Sequence, residues 1–297
     1  MRKTAFIAIV GRPNVGKSTL MNALLGEKIA IVSSKPQTTR NRIMGILTEG
    51  ENQFVFLDTP GIHKAKNKLG SYMMKTVRSS IGSADAVIMI AEAGRAPGDI
   101  EKSICEKIKN EELPAMLVLN KIDLVNREAI AETIMQYASL YNFDAVVPVS
   151  ALKEKNLADV MEEAEKFLYE GDWFFEEDMI TDQPEKQIAA EIIREKLLRC
   201  LSNEIPHGSA VMIEEFKETD ELISIRAEIY CEKESHKGII VGKGGEMLKK
   251  IGTYAREDLE EFFGVKVYLN LWVKVKENWR DSDFSLNNFG FNPKDVD

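Results

Sequence analysis

The sequence has 297 residues, 44% of them hydrophobic and 29% charged, and its formal net charge is −9 at pH 7. At roughly 100–200 residues per domain, this length predicts two domains with separate apolar cores. The net charge excludes a protein that is basic over its whole surface, although a local positive patch could still bind nucleic acid.

The chain lacks the marks of a membrane-spanning or disulfide-stabilised protein. No apolar run approaches the ~18–20 residues that cross a bilayer. The first run, residues 6–10, ends at once in a polar segment and is too short for a signal peptide. Cys105, Cys200 and Cys231 are odd in number and widely spaced, and no cysteine or histidine has zinc-ligand spacing. We therefore expect a reducing, cytoplasmic compartment.

The first half of the chain alternates short apolar runs with helical patterns. The runs are residues 6–10, 54–57, 86–91, 115–119 and 145–149. Near-continuous apolar runs of this length are typical of parallel strands that are buried on both faces. With helices between them, they predict a doubly wound α/β domain with a mostly parallel sheet over residues 1–175.

A phosphate-binding motif follows the first predicted strand. Residues 11–18 read Gly-Arg-Pro-Asn-Val-Gly-Lys-Ser and precede a predicted helix, which is the context of a P-loop. Backbone N–H groups at such a helix N-terminus bind phosphates. We expect Lys17 to reach the β- and γ-phosphates and Ser18 to bind Mg²⁺. The predicted nucleotide-binding residues of this segment are Gly11, Arg12, Pro13, Asn14, Val15, Gly16, Lys17, Ser18 and Thr19.

A second motif ends the run at residues 54–57. It consists of Asp58, Thr59, Pro60 and Gly61. Asp58 is expected to hold Mg²⁺, and the Gly61 N–H to contact the γ-phosphate.

A third and a fourth motif distinguish a GTPase from other P-loop enzymes. Asn120-Lys121-Ile122-Asp123 follows the run at residues 115–119, and Ser150-Ala151 follows the last run. The Asp123 carboxylate can accept both N1–H and N2–H₂ of guanine, a match that adenine lacks. Ser150-Ala151 can donate a backbone N–H to guanine O6. Four motifs in this order at strand carboxyl ends predict a Mg²⁺-dependent GTPase that binds GTP and GDP.

This motif order resembles that of the translation-factor class of GTPases, in which a switch I threonine closes on Mg²⁺. The corresponding stretch here is residues 36–40, Pro-Gln-Thr-Thr-Arg. We favour Thr39 as the metal ligand, with Thr38 as the second choice. The predicted catalytic residues are then Lys17, Thr39, Asp58 and Gly61.

The residue after Gly61 is unusual for a GTPase. Many GTPases have a glutamine there that orients the attacking water, whereas this chain has Ile62. Asn14 resembles the asparagine with which some of these GTPases hold K⁺ beside the phosphates. The alternative is that Asn14 only caps its turn. We expect slow intrinsic hydrolysis that K⁺ or a bound partner accelerates.

The character of the chain changes before the second half. Residues 176–184 are interpreted as a linker, and residues 185–297 as a second, smaller α+β domain with a C-terminal tail. A helix with one apolar face is predicted after Pro184, then two strands, a helical region and a last strand.

The helical region contains a Gly-x-x-Gly sequence at residues 242–245 with lysines around it. In KH domains such a loop joins two helices and clamps about four nucleotides, because glycines let the backbone lie against the sugar-phosphate chain. A plain helix–helix turn is the alternative. The predicted RNA-binding residues are Ile239, Ile240, Gly242, Lys243, Gly244, Gly245 and Lys249.

With both halves assigned, the chain resembles the Era family of bacterial GTPases. The resemblance lies in residues 11–18, 36–40, 58–63, 120–123, 181–185, 190–199 and 276–281. It implies a type II KH domain, binding near the 3′ end of small-subunit ribosomal RNA, and a role in 30S subunit maturation. It also implies loose association with the inner face of the cell membrane, and we expect a monomer. The rival hypothesis is a membrane- or protein-directed signalling GTPase whose small domain is an interaction module.

Overall fold

The computed structural model describes residues 1–202 and 205–291, which contain two sheets with helices packed on them. The predicted second domain runs to residue 297, so residues 203–204 and 292–297 of that prediction lie outside the described part. No helix of the described part is both long and apolar enough to cross a membrane.

The first unit is the predicted α/β domain. Its elements are β1 (Lys3–Gly11), α1 (Lys17–Leu25), β2 (Ile43–Glu49), β3 (Asn52–Asp58), α2 (Lys68–Gly82), β4 (Ala86–Glu92), α3 (Asp99–Asn110), β5 (Ala115–Asn120), α4 (Arg127–Ala138), β6 (Ala145–Pro148), α5 (Leu157–Glu165) and β7 (Tyr169–Glu170). The strand order is β2-β3-β1-β4-β5-β6, with β7 paired to β1. The pairs from β3 to β6 are parallel, whereas β2 and β7 run antiparallel to their partners.

Both faces of this sheet are covered, as the continuous apolar runs predict. In β1, Ile7 and Ile9 enter a core formed with α1 and α5. Ala8 and Val10 enter the opposite core, formed with α2, α3 and α4. The doubly wound fold is thus confirmed, and the parallel strands bring their carboxyl ends to one edge of the sheet.

Strand β2 is absent from the predicted elements. It lies at the edge of the sheet, and Met44 and Ile46 pack against β3 on the face that Phe175 covers. Its third residue, Gly45, lets α1 approach, since a Cβ there would lie 2.5 Å from Leu25 Cδ1. Phe175, which covers this face of β2, lies more than 120 residues away along the chain, so the sequence around β2 gives little sign of a strand.

The second unit has the α+β order expected of a KH domain. Its elements are α6 (Glu185–Cys200), β8 (Ala210–Glu218), β9 (Leu222–Cys231), α7 (Glu234–Val241), α8 (Glu246–Phe263) and β10 (Lys266–Val275). β10 pairs parallel with β9, and β9 pairs antiparallel with β8. The predicted single helical region is two helices, because the backbone turns at Gly242, Gly244 and Gly245, whose φ angles are 75°, 60° and 85°. Glycine adopts such angles more readily than residues that carry a Cβ.

The predicted linker, residues 176–184, and the two residues before it are docked on the first sheet. Gln53 of β3 accepts hydrogen bonds from the N–H groups of Phe174 and Phe175. Ile46 N–H donates to Ile180 O, and the Thr181 hydroxyl donates to Met44 O. The segment therefore adds to the edge of the first unit before α6 begins.

The two units share an apolar cluster around Trp279. The Trp279 ring is fully buried, donates from Nε1 to Gly208 O at 2.9 Å, and packs near Tyr72 and Met73 of α2. Residues after the KH core join this cluster, namely α9 (Asp283–Asn288), which contributes Leu286, and Phe291. The part of the predicted tail that the structure describes therefore contacts the first domain.

Trp279→Ala should lower the free energy of unfolding by about 3–5 kcal/mol, because it removes a fully buried ring and its hydrogen bond. Trp272→Ala is the matched control, since that ring is 58% exposed and should change stability by no more than about 0.5 kcal/mol. Urea denaturation followed by circular dichroism measures both. Equal losses in the two variants would show that the Trp279 cluster does not stabilise the fold.

Candidate active site and nucleic-acid interface

The P-loop lies between β1 and α1, where the backbone must pass close to other chain segments. Gly16 has φ 103°, and a Cβ there would lie 2.2 Å from Asn120 Nδ2. Asn120 in turn donates from Nδ2 to Val15 O at 2.8 Å. Glycine is therefore required at this position, and it leaves the first N–H groups of α1 without a side-chain cap. These groups are available to a phosphate.

Lys17 lies in the pocket that the P-loop forms with the loop between α1 and β2. That loop, residues 26–42, is called switch I below. The buried Lys17 ammonium donates to Arg12 O at 3.0 Å. Burial lowers its pKa to about 8, against the opposing effect of the Asp58 charge. An anionic phosphate beside Lys17 would add to the counter-charge of Asp58 and favour the charged ammonium.

Three predicted magnesium ligands converge at one point. Ser18 Oγ donates to Asp58 Oδ2 at 2.5 Å, and Thr39 Oγ1 lies 2.9 Å from Ser18 Oγ and 3.3 Å from Asp58 Oδ2. Thr38 is turned away, since its hydroxyl donates to Lys35 O. Of the two threonines, the structure thus brings Thr39 to the site.

The donor set fits Mg²⁺. All three ligands are oxygen atoms, which this hard cation prefers. Asp58 Oδ1 is buried and has no hydrogen-bond partner among residues 1–202 and 205–291. Burial raises the Asp58 pKa, while Lys17, Ser18 and Thr39 oppose that effect. A divalent cation would satisfy the free oxygen and favour the ionised carboxylate.

The predicted guanine-binding residues meet at the ends of β5 and β6. Asp123 is exposed, and its Oδ1 accepts from Ser150 Oγ at 2.6 Å, which lowers the pKa of the carboxyl. It is therefore ionised at neutral pH, as an acceptor of two guanine N–H groups must be. Lys121 follows Asn120 with φ 67° and pairs with Glu92 at 3.3 Å.

The Ala151 N–H donates to Asn120 Oδ1 at 2.9 Å, so it is already used in this structure. Its expected bond to guanine O6 stays a prediction.

Other residues of the motifs have supporting contacts. The Arg12 guanidinium forms a two-pronged ion pair with Glu101 of α3, so this residue offers the nucleotide its backbone only. The Thr59 hydroxyl donates to Ile9 O at 2.8 Å. A Cβ at Gly61 would lie 2.6 Å from Pro13 Cα, so the second motif lies directly against the P-loop. Pro60 and Val15 are buried, and Thr19 lines the phosphate pocket.

Ile62 has no place beside the phosphates. Its side chain packs on the apolar core formed with α2 and α3, and its N–H donates to Gly11 O at 3.1 Å. His63 Nε2 lies 3.2 Å from Gln37 Nε2, which connects this segment to switch I. Neither Ile62 nor Arg12 supplies a polar group for hydrolysis.

The KH loop presents an open backbone. A Cβ at Gly244 or Gly245 would meet no atom within 4 Å, whereas one at Gly242 would clash with Met247. Lys243 and Lys249 are exposed beside the loop. A strand of nucleic acid can therefore approach the chain between α7 and α8 closely.

The prediction for Ile240 needs correction. Its side chain is fully buried and packs with Leu197, Ile229 and Ile251, so it supports the fold and has no surface for a base. Ile239 is 50% exposed, and its contact with RNA stays a prediction.

A crevice between α8 and β10 has no counterpart among the sequence predictions. It adjoins Gly245 and Lys249 and is also lined by Arg256, Tyr268 and Asn270. The alternation of β10 could have indicated this surface, since Tyr268 and Trp272 occupy the positions between the inward-facing apolar residues.

The second domain also holds switch I, which sequence motifs do not reveal. Arg194 of α6 donates to Thr38 O. Arg40 donates from Nη1 to Ser209 O at 2.7 Å and from Nη2 to His207 O at 2.8 Å. The residues on both sides of Thr39 are therefore bonded to the second domain.

Asp123→Asn should weaken GTP binding by roughly 100-fold or more and favour xanthosine triphosphate, because an amide can donate to the extra carbonyl of xanthine but cannot accept two guanine N–H bonds. Asp159→Asn on exposed α5 removes the same charge away from the site and should bind GTP normally. Fluorescence titration with labelled nucleotides measures both affinities. Undiminished selectivity for GTP would contradict the assigned role.

Comparison with known proteins agrees with both halves of this description. Residues 6–121 match a family model described as a 50S ribosome-binding GTPase, and residues 204–280 match a KH domain model. The chain is 52% identical to GTPase Era of Clostridium kluyveri over 292 residues, which is 98% of this chain and all of the relative. It is 49% identical to GTPase Era of Ruminiclostridium cellulolyticum over 290 residues, 97% of each chain.

Two solved structures are similar over nearly the whole chain. One is a variant of Aquifex aeolicus Era bound to GDP and AlF₄⁻, with a TM-score of 0.94, 40% identity, and coverage of 98% of this chain and 99% of the other. The second is Era in complex with MgGDPNP and nucleotides 1506–1542 of 16S ribosomal RNA, with a TM-score of 0.95, 40% identity, and coverage of 98% and 100%. Half-identical relatives that cover both domains in the same order confirm the resemblance, and the chain belongs to the Era family of GTP-hydrolysing enzymes.

Proposed function

We propose that this GTPase binds small-subunit ribosomal RNA near its 3′ end in the GTP state and assists maturation of the 30S subunit. The observation that carries the proposal is the Gly242–Gly245 loop, whose open backbone and flanking lysines suit a sugar-phosphate chain. The similar Era structure with nucleotides 1506–1542 of 16S ribosomal RNA supports the choice of RNA. The 50S description belongs to a model of residues 6–121, which do not include this loop.

The nucleotide site can perform hydrolysis mainly by positioning. Lys17 and the first N–H groups of α1 would hold the phosphates, and Gly61 lines the same pocket beside the P-loop. Ser18, Thr39 and Asp58 would hold Mg²⁺, which when bound neutralises charge on the phosphate oxygens. Ile62 cannot orient water by hydrogen bonding. We therefore propose slow intrinsic turnover.

Thr39 connects this chemistry to the second domain. It is expected to bind the metal only while the γ-phosphate keeps switch I closed. Its neighbours Thr38 and Arg40 bond to α6 and to the segment before β8. Loss of the γ-phosphate would release Thr39, loosen these bonds and change how the second domain presents RNA.

Potassium is proposed as an activator at Asn14. Among the described residues, this side chain donates to Ser34 O of switch I at 2.8 Å rather than to its own turn. This contact brings an amide and a switch I carbonyl together next to the phosphate pocket. A monovalent cation there would stabilise charge that develops between the β- and γ-phosphates.

The proposed compartment is the cytoplasm, where its proposed binding partner, ribosomal RNA, is found. Peripheral association with the inner face of the cell membrane is a further proposal that rests on the family resemblance alone.

The RNA probe is nucleotides 1506–1542 of 16S ribosomal RNA, called the 16S fragment below. Gly244→Asp should weaken binding of this fragment by roughly tenfold or more, because the new carboxylate would repel the RNA phosphate that must lie there, while GTP binding stays normal. Gly50→Asp is the matched control. Gly50 has φ 59° and Gly244 has φ 60°, and a Cβ at either position meets nothing within 4 Å. Filter binding with GDPNP-loaded protein measures RNA affinity. If Gly244→Asp retains RNA as well as Gly50→Asp does, the rival interaction-module hypothesis is favoured.

GTP turnover should be about tenfold or more faster in KCl than in NaCl at equal ionic strength, because Asn14 and switch I would hold the larger ion. Asn14→Ala should abolish this difference while its affinity for GDPNP remains close to that of the unmodified protein. Phosphate release under excess GTP measures the rate. Equal turnover in the two salts would rule out the potassium proposal.

A further inference from the structure

A further crevice, lined by both apolar and polar residues, lies between the two domains, outside the nucleotide pocket. It has a volume of about 270 Å³ and lies between the end of switch I, α6, the start of β8 and the segment after α9. Its polar lining includes Arg40, Asn41, Gln187, Glu191 and Arg194.

Arg194 is only partly satisfied there. Its side chain is 2% exposed, and Nε and Nη2 donate to Glu191 at 2.8 and 2.5 Å. Nη2 also donates to Thr38 O. Nη1 is buried and has no hydrogen-bond partner in the described part of the chain.

Arg40 has a similar deficit. It is also 2% exposed, and its two terminal nitrogens donate to Ser209 O and His207 O. Its Nε is buried without a partner among the residues described. Asn41 Oδ1, in the same crevice, is buried and unbonded within those residues too, and a flip of its amide would present N–H donors instead.

The charges of the lining are unbalanced. Among the residues that line it, Arg40, Lys186 and Arg194 are cationic and Glu191 alone is anionic, so the lining has a net charge of +2 in a protein of net charge −9. Buried guanidinium donors without partners are costly. Water would accept their hydrogen bonds but would not neutralise the charge, whereas a tetrahedral oxyanion would do both.

We propose that this crevice is a binding site for a phosphoryl oxyanion held between Arg40 and Arg194. The anion would stabilise the docked arrangement of the domains, because Arg194 also bonds to Thr38 and Arg40 bonds to the segment before β8. By linkage it would also favour the closed switch I. The site is separate from the KH loop and does not depend on the proposed RNA specificity.

The test uses the full chain saturated with Mg·GDPNP, so that the P-loop cannot take up the probe. Inorganic phosphate, titrated against chloride at matched ionic strength, should raise Tm saturably by about 2–5 °C. Asn41→Asp and Gln187→Glu each place a carboxylate in the lining and should lose this response. Asn142→Asp adds the same charge in the exposed segment between α4 and β6 and should keep it.

The natural phosphoryl group could be free phosphate or part of an RNA backbone. If Asn41→Asp also weakens binding of the 16S fragment by roughly tenfold relative to Asn142→Asp, the source is the RNA. If RNA affinity is unchanged while the phosphate response is lost, the source is a free anion. Either result supports the site.

A structural readout complements the titration. Crystals of the GDPNP complex soaked in selenate should show an anomalous peak between Arg40 and Arg194. The proposal is overturned if phosphate gives no saturable rise in Tm, or if both carboxylate variants respond as Asn142→Asp does.

Discussion

The structure depends on the burial of one carboxylate. Asp58 is fully buried at the end of β3, and an ionised carboxylate in such a place is stable only with cations and hydrogen-bond donors around it. Ser18 and Thr39 supply hydroxyls, Lys17 supplies a charge, and one oxygen remains for a metal. Because Thr39 belongs to switch I, its hydrogen bond to Asp58 also fixes the position of that loop.

The position of Thr39 then decides how the domains meet. Thr38 and Arg40 are bonded to the second domain, so a loop that closes on the metal simultaneously offers its backbone to α6. Glu195 adds a further contact between α6 and switch I. It is fully buried and accepts from Val32 N–H at 3.0 Å and Lys28 Nζ at 2.9 Å. Burial alone would raise its pKa, but these contacts outweigh that effect and lower it.

Such a buried ionic contact adds little net stability, since desolvation offsets much of the attraction. Its contribution is to geometry. A Glu195 carboxylate left without Lys28 and Val32 would be far less stable, so domain arrangements that separate them are disfavoured. The interface therefore favours the docked arrangement because undocking would leave the Glu195 carboxylate without these partners.

Sequence reasoning succeeded where the relevant information is local. The strands of the first sheet and the four nucleotide motifs each lie within a few residues, and they predicted the fold and the grouping of site residues at one sheet edge. It failed where partners lie far apart. Arg194 and Thr38 are separated by 156 positions, and α6 was predicted to have one apolar face. In the structure α6 lies between two domains and also buries Arg194, Glu195 and Lys196, which a periodic pattern cannot show. Ile240 was misjudged for a related reason, because adjacent helix positions Ile239 and Ile240 face opposite environments.

The absence of a catalytic glutamine is consistent with this interface. Ile62 packs into the core and the Arg12 guanidinium is paired with Glu101, so neither of these two side chains can act directly on the attacking water or the phosphates. GTPases that act without such a catalytic side chain hydrolyse bound GTP slowly, on the order of once in several minutes or longer. Under the proposed function, the closed state would then last long enough to reach equilibrium with RNA before hydrolysis ends it. On that proposal, slow hydrolysis and the bonds that join the neighbours of Thr39 to the second domain act together, and the lifetime of bound GTP would set the lifetime of the docked state.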